Sequence, residues 1–488
     1  MSSRNFGTLR LLVNGEWVRS ETSDTRDIFN PADGKPIAKI PYSTRDEVGS
    51  ATRAAAEAFE SWGENAVGER VQYLFRLKQV LEGHAEELAE LNTLNHGKTL
   101  EESRGDVRRT IENVESAISV AYSLAKGSNL DQIAKGIDEQ STKEPLGVFA
   151  IVCPFNFPIM IPFWFLPYAI VLGDTVVVKP SDLTPVPMQR IAELIAEEVK
   201  LPPGVFNMIH GGAEVVESLI RDNEVKGVTF VGSTPVAKTV YRIAGEAGKR
   251  AIANGGAKNS IVVTSEASLD SAIPPIVSSF FGNTGQRCLA GANLIAVGPI
   301  KDELLDKFTR TARALKVGNG LSSQTEMGPV VSKKAKERIE SYLQKGVDEG
   351  ARVAADGRGV LVSDYPDGYY LGATVFDDVS PDMAIAKEEI FGPVASTMHL
   401  GTLDAAIETI NHGTKFGNMA SIFTTSGREA REFRRRVRAG NVGINIGVAA
   451  PSAYFPFGGM RESFLGVLHP QMDSVDFFTD RKITISRW

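Results

Sequence analysis

The run Val148-Phe149-Ala150-Ile151-Val152, followed at Thr175-Val176-Val177-Val178 by a second β-branched run, decides the fold. Two more such runs come later, Val205 to Ile209 and Gly227 to Val231, with helical spacing at Val186 to Val199 and near Val215 to Arg221. Short apolar runs without polar alternation read as strands covered on both faces. Their alternation with helices predicts a parallel sheet with crossover helices. The ligand crevice of such a sheet lies outside the carboxyl ends of its strands.

A second alternating stretch begins at Ser260-Ile261-Val262-Val263. It continues through helices near Ile273 to Phe281 and Asp302 to Leu315, to about Ala439, and reads as a second α/β domain. The first quarter is helix-rich, with apolar residues at helical spacing over Glu47 to Trp62 and Val71 to Leu94. Between Lys126 and Lys143 the chain turns polar, and Ser474 to Trp488 ends in the alternating Lys482-Ile483-Thr484-Ile485-Ser486. Each is expected to be an edge strand that pairs across subunits, because a long open edge is usually covered.

A chain of 488 residues is long enough for two or three cores. The formal charge of −7 is mild, and the one basic triplet, Arg434-Arg435-Arg436, fits an exposed helix face, so nucleic acid is not an expected partner. With only Cys153 and Cys288 there is no disulfide framework, and residues 1–7 carry no apolar leader, which points to the cytoplasm. From Pro145 to Gly173 no side chain is charged, yet five prolines and Asn156 interrupt the run. A buried strand, a loop and a core helix account for it better than a membrane span.

Five segments carry chemistry. Asn156, in Pro154-Phe155-Asn156-Phe157-Pro158, follows a strand end, where a carboxamide can donate to an oxyanion or satisfy loop backbone. Lys179-Pro180-Ser181-Asp182 ends the next strand, where a lysine and a carboxylate can grip ribose hydroxyls. A carboxylate there repels a 2′-phosphate, which favours NAD over NADP. Gly232-Ser233-Thr234-Pro235 opens a helix whose first turn can accept phosphate. Cys153 sits among apolar neighbours and reads as core. Cys288 instead follows the polar turn Gly282 to Arg287, and the adjacent Arg287 is expected to favour thiolate. The fifth segment is Ala253-Asn254-Gly255-Gly256-Ala257-Lys258-Asn259, whose Asn254 carries an amide, a group that cannot take a proton from water.

Together, Pro154 to Pro158, Lys179 to Asp182, Phe230 to Thr234, Gly285 to Ala290 and Glu388-Glu389-Ile390-Phe391-Gly392-Pro393 resemble, in this order, the motifs of the aldehyde dehydrogenase superfamily. Asn254 to Asn259, Gly443-Ile444-Asn445-Ile446-Gly447-Val448, Phe455 to Gly459 and Asp473 to Thr479 are similar to its CoA-acylating methylmalonate-semialdehyde dehydrogenase branch. That branch has Asn where hydrolytic members have Glu. The resemblance implies an α/β, aldehyde-dehydrogenase-like fold with two parallel-sheet domains, one for the cofactor and one catalytic, plus a small β oligomerisation extension. The boundaries expected are 1–126 with 146–256 for NAD, 257–440 for catalysis, 127–145 with 473–488 for oligomerisation, and 441–472 returning to the active-site mouth.

The resemblance further implies Cys288 as nucleophile and Asn156, with the Cys288 backbone N–H, as oxyanion hole. NAD would be held by Phe155, Lys179, Asp182, Gly232, Ser233, Glu389 and Phe391, and a substrate carboxylate by Arg109 and Arg287. Phe155 stands where Trp is frequent, Asp182 where Glu is, and Gly255 where Leu is common. The implied reaction is NAD-dependent oxidation and decarboxylation of methylmalonate or malonate semialdehyde to propionyl-CoA or acetyl-CoA, with coenzyme A as co-substrate. The implied assembly is a homodimer or homotetramer. Two other readings stay open: a hydrolytic aldehyde dehydrogenase using another carboxylate such as Glu389, and a catalytically silent binding protein on the same fold.

Overall fold

The computed structural model describes residues 5–488. Five parallel strands run side by side in the order Phe206–Met208, Thr175–Lys179, Val148–Val152, Val225–Val231 and Arg250–Asn254. Leu11–Val13 with Glu16–Val18 closes one edge and Phe464–Leu465 the other, all antiparallel to their neighbours, giving an eight-stranded sheet. The chain moves outward from Val148–Val152 through Thr175–Lys179 to Phe206–Met208, then returns to build the other side. The strand order therefore reverses beside Val148–Val152, which creates the crevice expected of such a sheet. Cys153, Pro180 and Gly232 all follow the strand ends that border it.

The first strand matches its sequence reading residue for residue, and all five of its side chains are buried. Apolar side chains on both faces pack under helices, as a central parallel strand requires. The uncharged stretch after it forms two short helices, Met160–Phe163 and Leu166–Leu172, and every residue of the second is buried. No helix among the described residues is long and apolar enough to cross a membrane.

The second sheet has seven strands in the order Arg352–Ala355, Thr374–Asp377, Val394–Leu400, Gly291–Val297, Asn259–Thr264, Met419–Phe423 and Asn441–Ile444. All pairings are parallel except the first. One core cluster holds side chains of both sheets, including Phe149 and Ile151 of the first and Ile261 and Val263 of the second.

One expectation needs correction. The helical spacing over Val71 to Leu94 is divided between Val67–Gly83 and Ala85–His96, with His84 at φ −109° and ψ 16° between them. The polar segment and the C-terminal tail pair with each other within one chain. Thr479–Arg487 runs antiparallel to Ile137–Pro145, from Thr479 opposite Pro145 to Arg487 opposite Ile137, and Ser128–Ala134 pairs on the far side. The tail strand lies at the edge of this three-stranded sheet, paired on one side only among the described residues, and its Ile483 and Ile485 are exposed.

Candidate active site

Cys288 lies in an irregular segment between the helix Leu269–Phe281 and the strand Gly291–Val297. Asn283, Thr284 and Gly285 all adopt left-handed backbone, at φ 52°, 53° and 70°. Gly285 is required twice over, because a Cβ there would also lie 2.0 Å from the Gly392 carbonyl. The segment is tied down on every side. Gln286 Oε1 accepts from the Val331 N–H at 3.1 Å, and Thr284 donates to the Gly328 carbonyl at 3.0 Å. The Cys288 carbonyl accepts from two carboxamides, Asn259 at 2.8 Å and Asn418 at 2.9 Å. Asn418 has no motif around it in the sequence, and Asn259 stood in a quoted run without a role.

Burial pushes the Cys288 thiol up to about 12, and the charge of Glu389 adds to the rise. The N–H groups of Cys288 and Leu289 and the amide of Asn418 oppose it. Arg287, expected to favour thiolate, does couple to the Cys288 charge, but burial outweighs it. Its guanidinium turns to Glu102 Oε1 and the Ser278 carbonyl, at 3.4 Å each. Cys153, as read from its neighbours, is buried in the core and is likewise pushed up to about 12.

Cys288, Arg109 and Arg287 line one cavity of about 290 Å3, together with Glu102, Asp106 and the apolar Trp164, Leu289 and Phe457. Both arginines already have carboxylate partners, since Arg109 donates to Glu112 at 2.6 Å. Glu102 also closes a capping box with Thr99 at the start of the helix Leu100–Ser123 and accepts from the Asn283 N–H at 2.5 Å. The spacing Thr99-Leu100-Glu101-Glu102 carries that capping signal in the sequence.

Asn156 is 4% exposed and donates its side-chain N–H to the Gln286 carbonyl at 3.1 Å, two residues before Cys288. An amide nitrogen has two hydrogens, so one remains for another acceptor. Asn254 ends the last parallel strand of the first sheet and is 5% exposed. Its side-chain oxygen is buried and has no hydrogen-bond partner among the described residues. At Gly255 a Cβ would lie 2.6 Å from both Thr234 Oγ1 and the Glu462 carbonyl, which accounts for glycine there.

Of the residues expected at the cofactor, Phe155, Asp182 and Phe391 line one cleft. Ser233 is the N-cap of the helix Thr234–Glu246, its side chain is exposed, and it makes no cap hydrogen bond, so the first turn is open. Lys179 is buried and donates to the carbonyls of Pro180 at 2.7 Å and Gly211 at 2.9 Å. Glu389 Oε1 accepts from the Ala257 N–H at 2.7 Å, and burial raises its carboxyl to about 7. Phe391, at φ 55°, packs edge-on against Phe155 with centroids 5.7 Å apart. Both rings border an open cleft of about 680 Å3 that also meets Asp182, Gln286 and Arg26. Asp182 does not stand alone in that cleft: Arg26 Nη1 lies 2.5 Å from its Oδ2. A guanidinium beside the carboxylate offsets the repulsion expected against a 2′-phosphate.

Comparison with known proteins places this geometry. The sequence matches the aldehyde dehydrogenase family over residues 17–484. It is 44% identical over 483 residues to malonate-semialdehyde dehydrogenase 2 of Geobacillus kaustophilus (strain HTA426), covering 99% of each chain. It is 42% identical over 481 residues to malonate-semialdehyde dehydrogenase of Bacillus subtilis (strain 168), covering 98% of this chain and 98% of the other. The crystal structure of methylmalonate-semialdehyde dehydrogenase (DddC) from Oceanimonas doudoroffii superposes with a TM-score of 0.96 at 39% identity, covering 99% of both chains. Betaine aldehyde dehydrogenase (betB) from Staphylococcus aureus in complex with NAD+ superposes with a TM-score of 0.94 at 29% identity, over 98% of this chain and 95% of that one. The chain belongs to the aldehyde dehydrogenase family.

Proposed function

We propose that the protein oxidises a malonate-type semialdehyde with NAD and passes the acyl group to coenzyme A with loss of CO2. The observation that carries this reading is Asn254, a buried carboxamide with an unpartnered oxygen, at the position where the resemblance gives hydrolytic members a Glu. Relatives named malonate-semialdehyde dehydrogenase at 41–44% identity over nearly the full chain support the substrate class. The NAD complex of the betaine aldehyde dehydrogenase supports the cofactor.

The crevice residues fit NAD. The open helix start at Ser233 suits the pyrophosphate, Lys179 and Asp182 the adenosine ribose, Glu389 and Phe391 the nicotinamide ribose. When bound, NAD supplies a hydride acceptor. The chain's own residues do the rest. Arg109 and Arg287 orient the substrate carboxylate, since the guanidinium fork matches it in two bonds. Cys288 loses its proton and its sulfur attacks the aldehyde carbon. The free N–H of Asn156 and the Cys288 backbone N–H hold the resulting alkoxide, which collapses to a Cys288 thioester as hydride leaves. Loss of the β-carboxylate as CO2 leaves its electron pair on the thioester as an enolate, stabilised by the same donors until a proton is taken up.

Release then depends on which nucleophile can act without a base. Water, with a pKa of about 15.7, needs one at neutral pH. A free thiol, with a pKa of about 8.5, is already a few per cent thiolate. Asn254 thus leaves the acyl group for coenzyme A, and it removes a negative charge that would oppose an anionic substrate.

One observation favours hydrolysis to a free acid as a second reading: Glu389, held at about 7, is a carboxylate whose charge already bears on the Cys288 thiol. Product analysis separates the two. Malonate semialdehyde with NAD and coenzyme A should yield acetyl-CoA, CO2 and NADH in equal amounts; free acetate or malonate as main product would sink the acyl-transfer reading. The three-stranded ribbon, with Ile483, Ile485 and Trp488 exposed, is proposed as a homo-oligomer contact. Light scattering of a Thr479–Trp488 deletion against the intact chain tests it.

A further inference from the structure

We propose that Lys98 is a positioning residue for the Asn156 carboxamide, acting through the hydrogen bond from its buried ammonium to the Asn156 backbone carbonyl. The bond is 2.7 Å long, and the same ammonium lies 3.1 Å from Asp106 Oδ2. Both side chains are 0% exposed. Asp106 Oδ2 also accepts from Asn92 at 2.9 Å, and its Oδ1 accepts from the Met160 N–H at 2.9 Å. One ion pair therefore grips the loop at residue 156 and again at residue 160. The Phe157 ring fills the span between, with its centroid 4.2 Å from the ammonium.

The other side of the Asn156 carbonyl is tied to the cysteine segment. Asn283 donates to it at 3.3 Å and to the Gln286 carbonyl at 3.0 Å, and Asn156 itself donates to that Gln286 carbonyl. The ammonium and two carboxamides thus lock the loop bearing the proposed oxyanion donor to the turn bearing the nucleophile. Stability alone does not call for this arrangement. A buried ion pair has a large desolvation cost and is often replaceable by apolar residues of similar volume without loss. An apolar side chain offers no directed donor to a carbonyl. An oxyanion donor, in turn, stabilises charge only if it is held to about 0.5 Å of its productive position.

The inference rests on Asn156 being the oxyanion donor, and NADH formation from malonate semialdehyde tests both claims separately. Asn156→Ala should lower kcat about 10²-fold. Lys98→Met with Asp106→Asn removes both charges but keeps an acceptor for the Met160 N–H, so the variant avoids stranding a buried carboxylate. It should lose about tenfold or more in kcat with KM within about twofold, the pattern of an interaction made only in the transition state. Adding the same pair of changes to Asn156→Ala should cost less than about a further twofold, because the ion pair and the carboxamide act as a unit. Full kcat in the charge-neutral double variant, or a loss from that variant that multiplies undiminished on Asn156→Ala, overturns the positioning role. An unchanged kcat in Asn156→Ala alone overturns the oxyanion assignment and the inference with it.

Discussion

Glu102 and Arg287 are joined at 3.4 Å across the rim of the Cys288 cavity, and the same carboxylate oxygen accepts from the Asn283 N–H. Both side chains line that cavity with Cys288, where the substrate carboxylate is proposed to bind. Arg109, paired with Glu112, stands on the same cavity wall. Replacing Arg287 with Leu should raise KM for malonate semialdehyde about 10- to 10²-fold, the range for a lost charge-assisted hydrogen bond. KM for propanal, which has no carboxylate, should stay within about twofold, because only a charged group depends on that arginine. Equal effects on the two aldehydes would remove the carboxylate-binding assignment.

The resting thiol of Cys288 is pushed up to about 12 from 9.0 by burial and by Glu389. A raised acid pKa means the neutral thiol prevails in the folded protein through the alkaline range. Alkylation by iodoacetamide in the absence of NAD should therefore keep accelerating with pH up to the alkaline limit of folding. A plateau near pH 9 would contradict this, and Glu389→Gln should shift the profile to lower pH by removing the like charge.

Arg26 neutralises Asp182 in the cleft where the adenosine ribose is proposed to sit. Arg26→Ser should leave the carboxylate unpaired and widen the preference for NAD over NADP in kcat/KM several-fold. A preference unchanged or narrowed would show that Asp182 does not face the 2′ position.

Asn254→Glu restores a proton acceptor at the buried end of the last parallel strand. Steady-state NADH formation without coenzyme A should rise, about 10- to 10²-fold, in the range for general-base assistance. Free acid should accumulate as its product. A variant that folds and binds NAD but gains no hydrolysis would show that the amide is not what spares the thioester.

Local pattern carried much of the fold. Val148–Val152 was readable because a central parallel strand must be apolar on both faces, and Ile273 to Phe281 as helix because it is apolar, though the helix begins a turn earlier, at Leu269. The break at His84 was not, since helical spacing resumes beyond it and nothing in the spacing records a change of direction. Nor was the pairing of Thr479–Arg487 with Ile137–Pro145, a contact between distant segments that local propensity does not encode. At the candidate site the same limit applies. Cys288, Arg109 and Arg287 were named from motifs and the structure brings them to one cavity. The net rise of the Cys288 thiol was not legible beside Arg287, because burial and the charge of Glu389, distant in sequence, outweigh the neighbouring cation. Asn418, Lys98 and Asp106 escaped notice because no spacing marks a residue that matters through a backbone carbonyl or N–H elsewhere in the chain.

The central claim is that the acyl group waits on Cys288 for a thiol because Asn254 gives water no base. Rapid mixing of the enzyme with NAD and malonate semialdehyde, with and without coenzyme A, tests it most directly. Without coenzyme A the account predicts a burst of one NADH per active site followed by a rate at least about 10²-fold below the coenzyme-A-supported rate, as removal of a general base implies. Sustained turnover at the full rate without coenzyme A, releasing free acid, would contradict it.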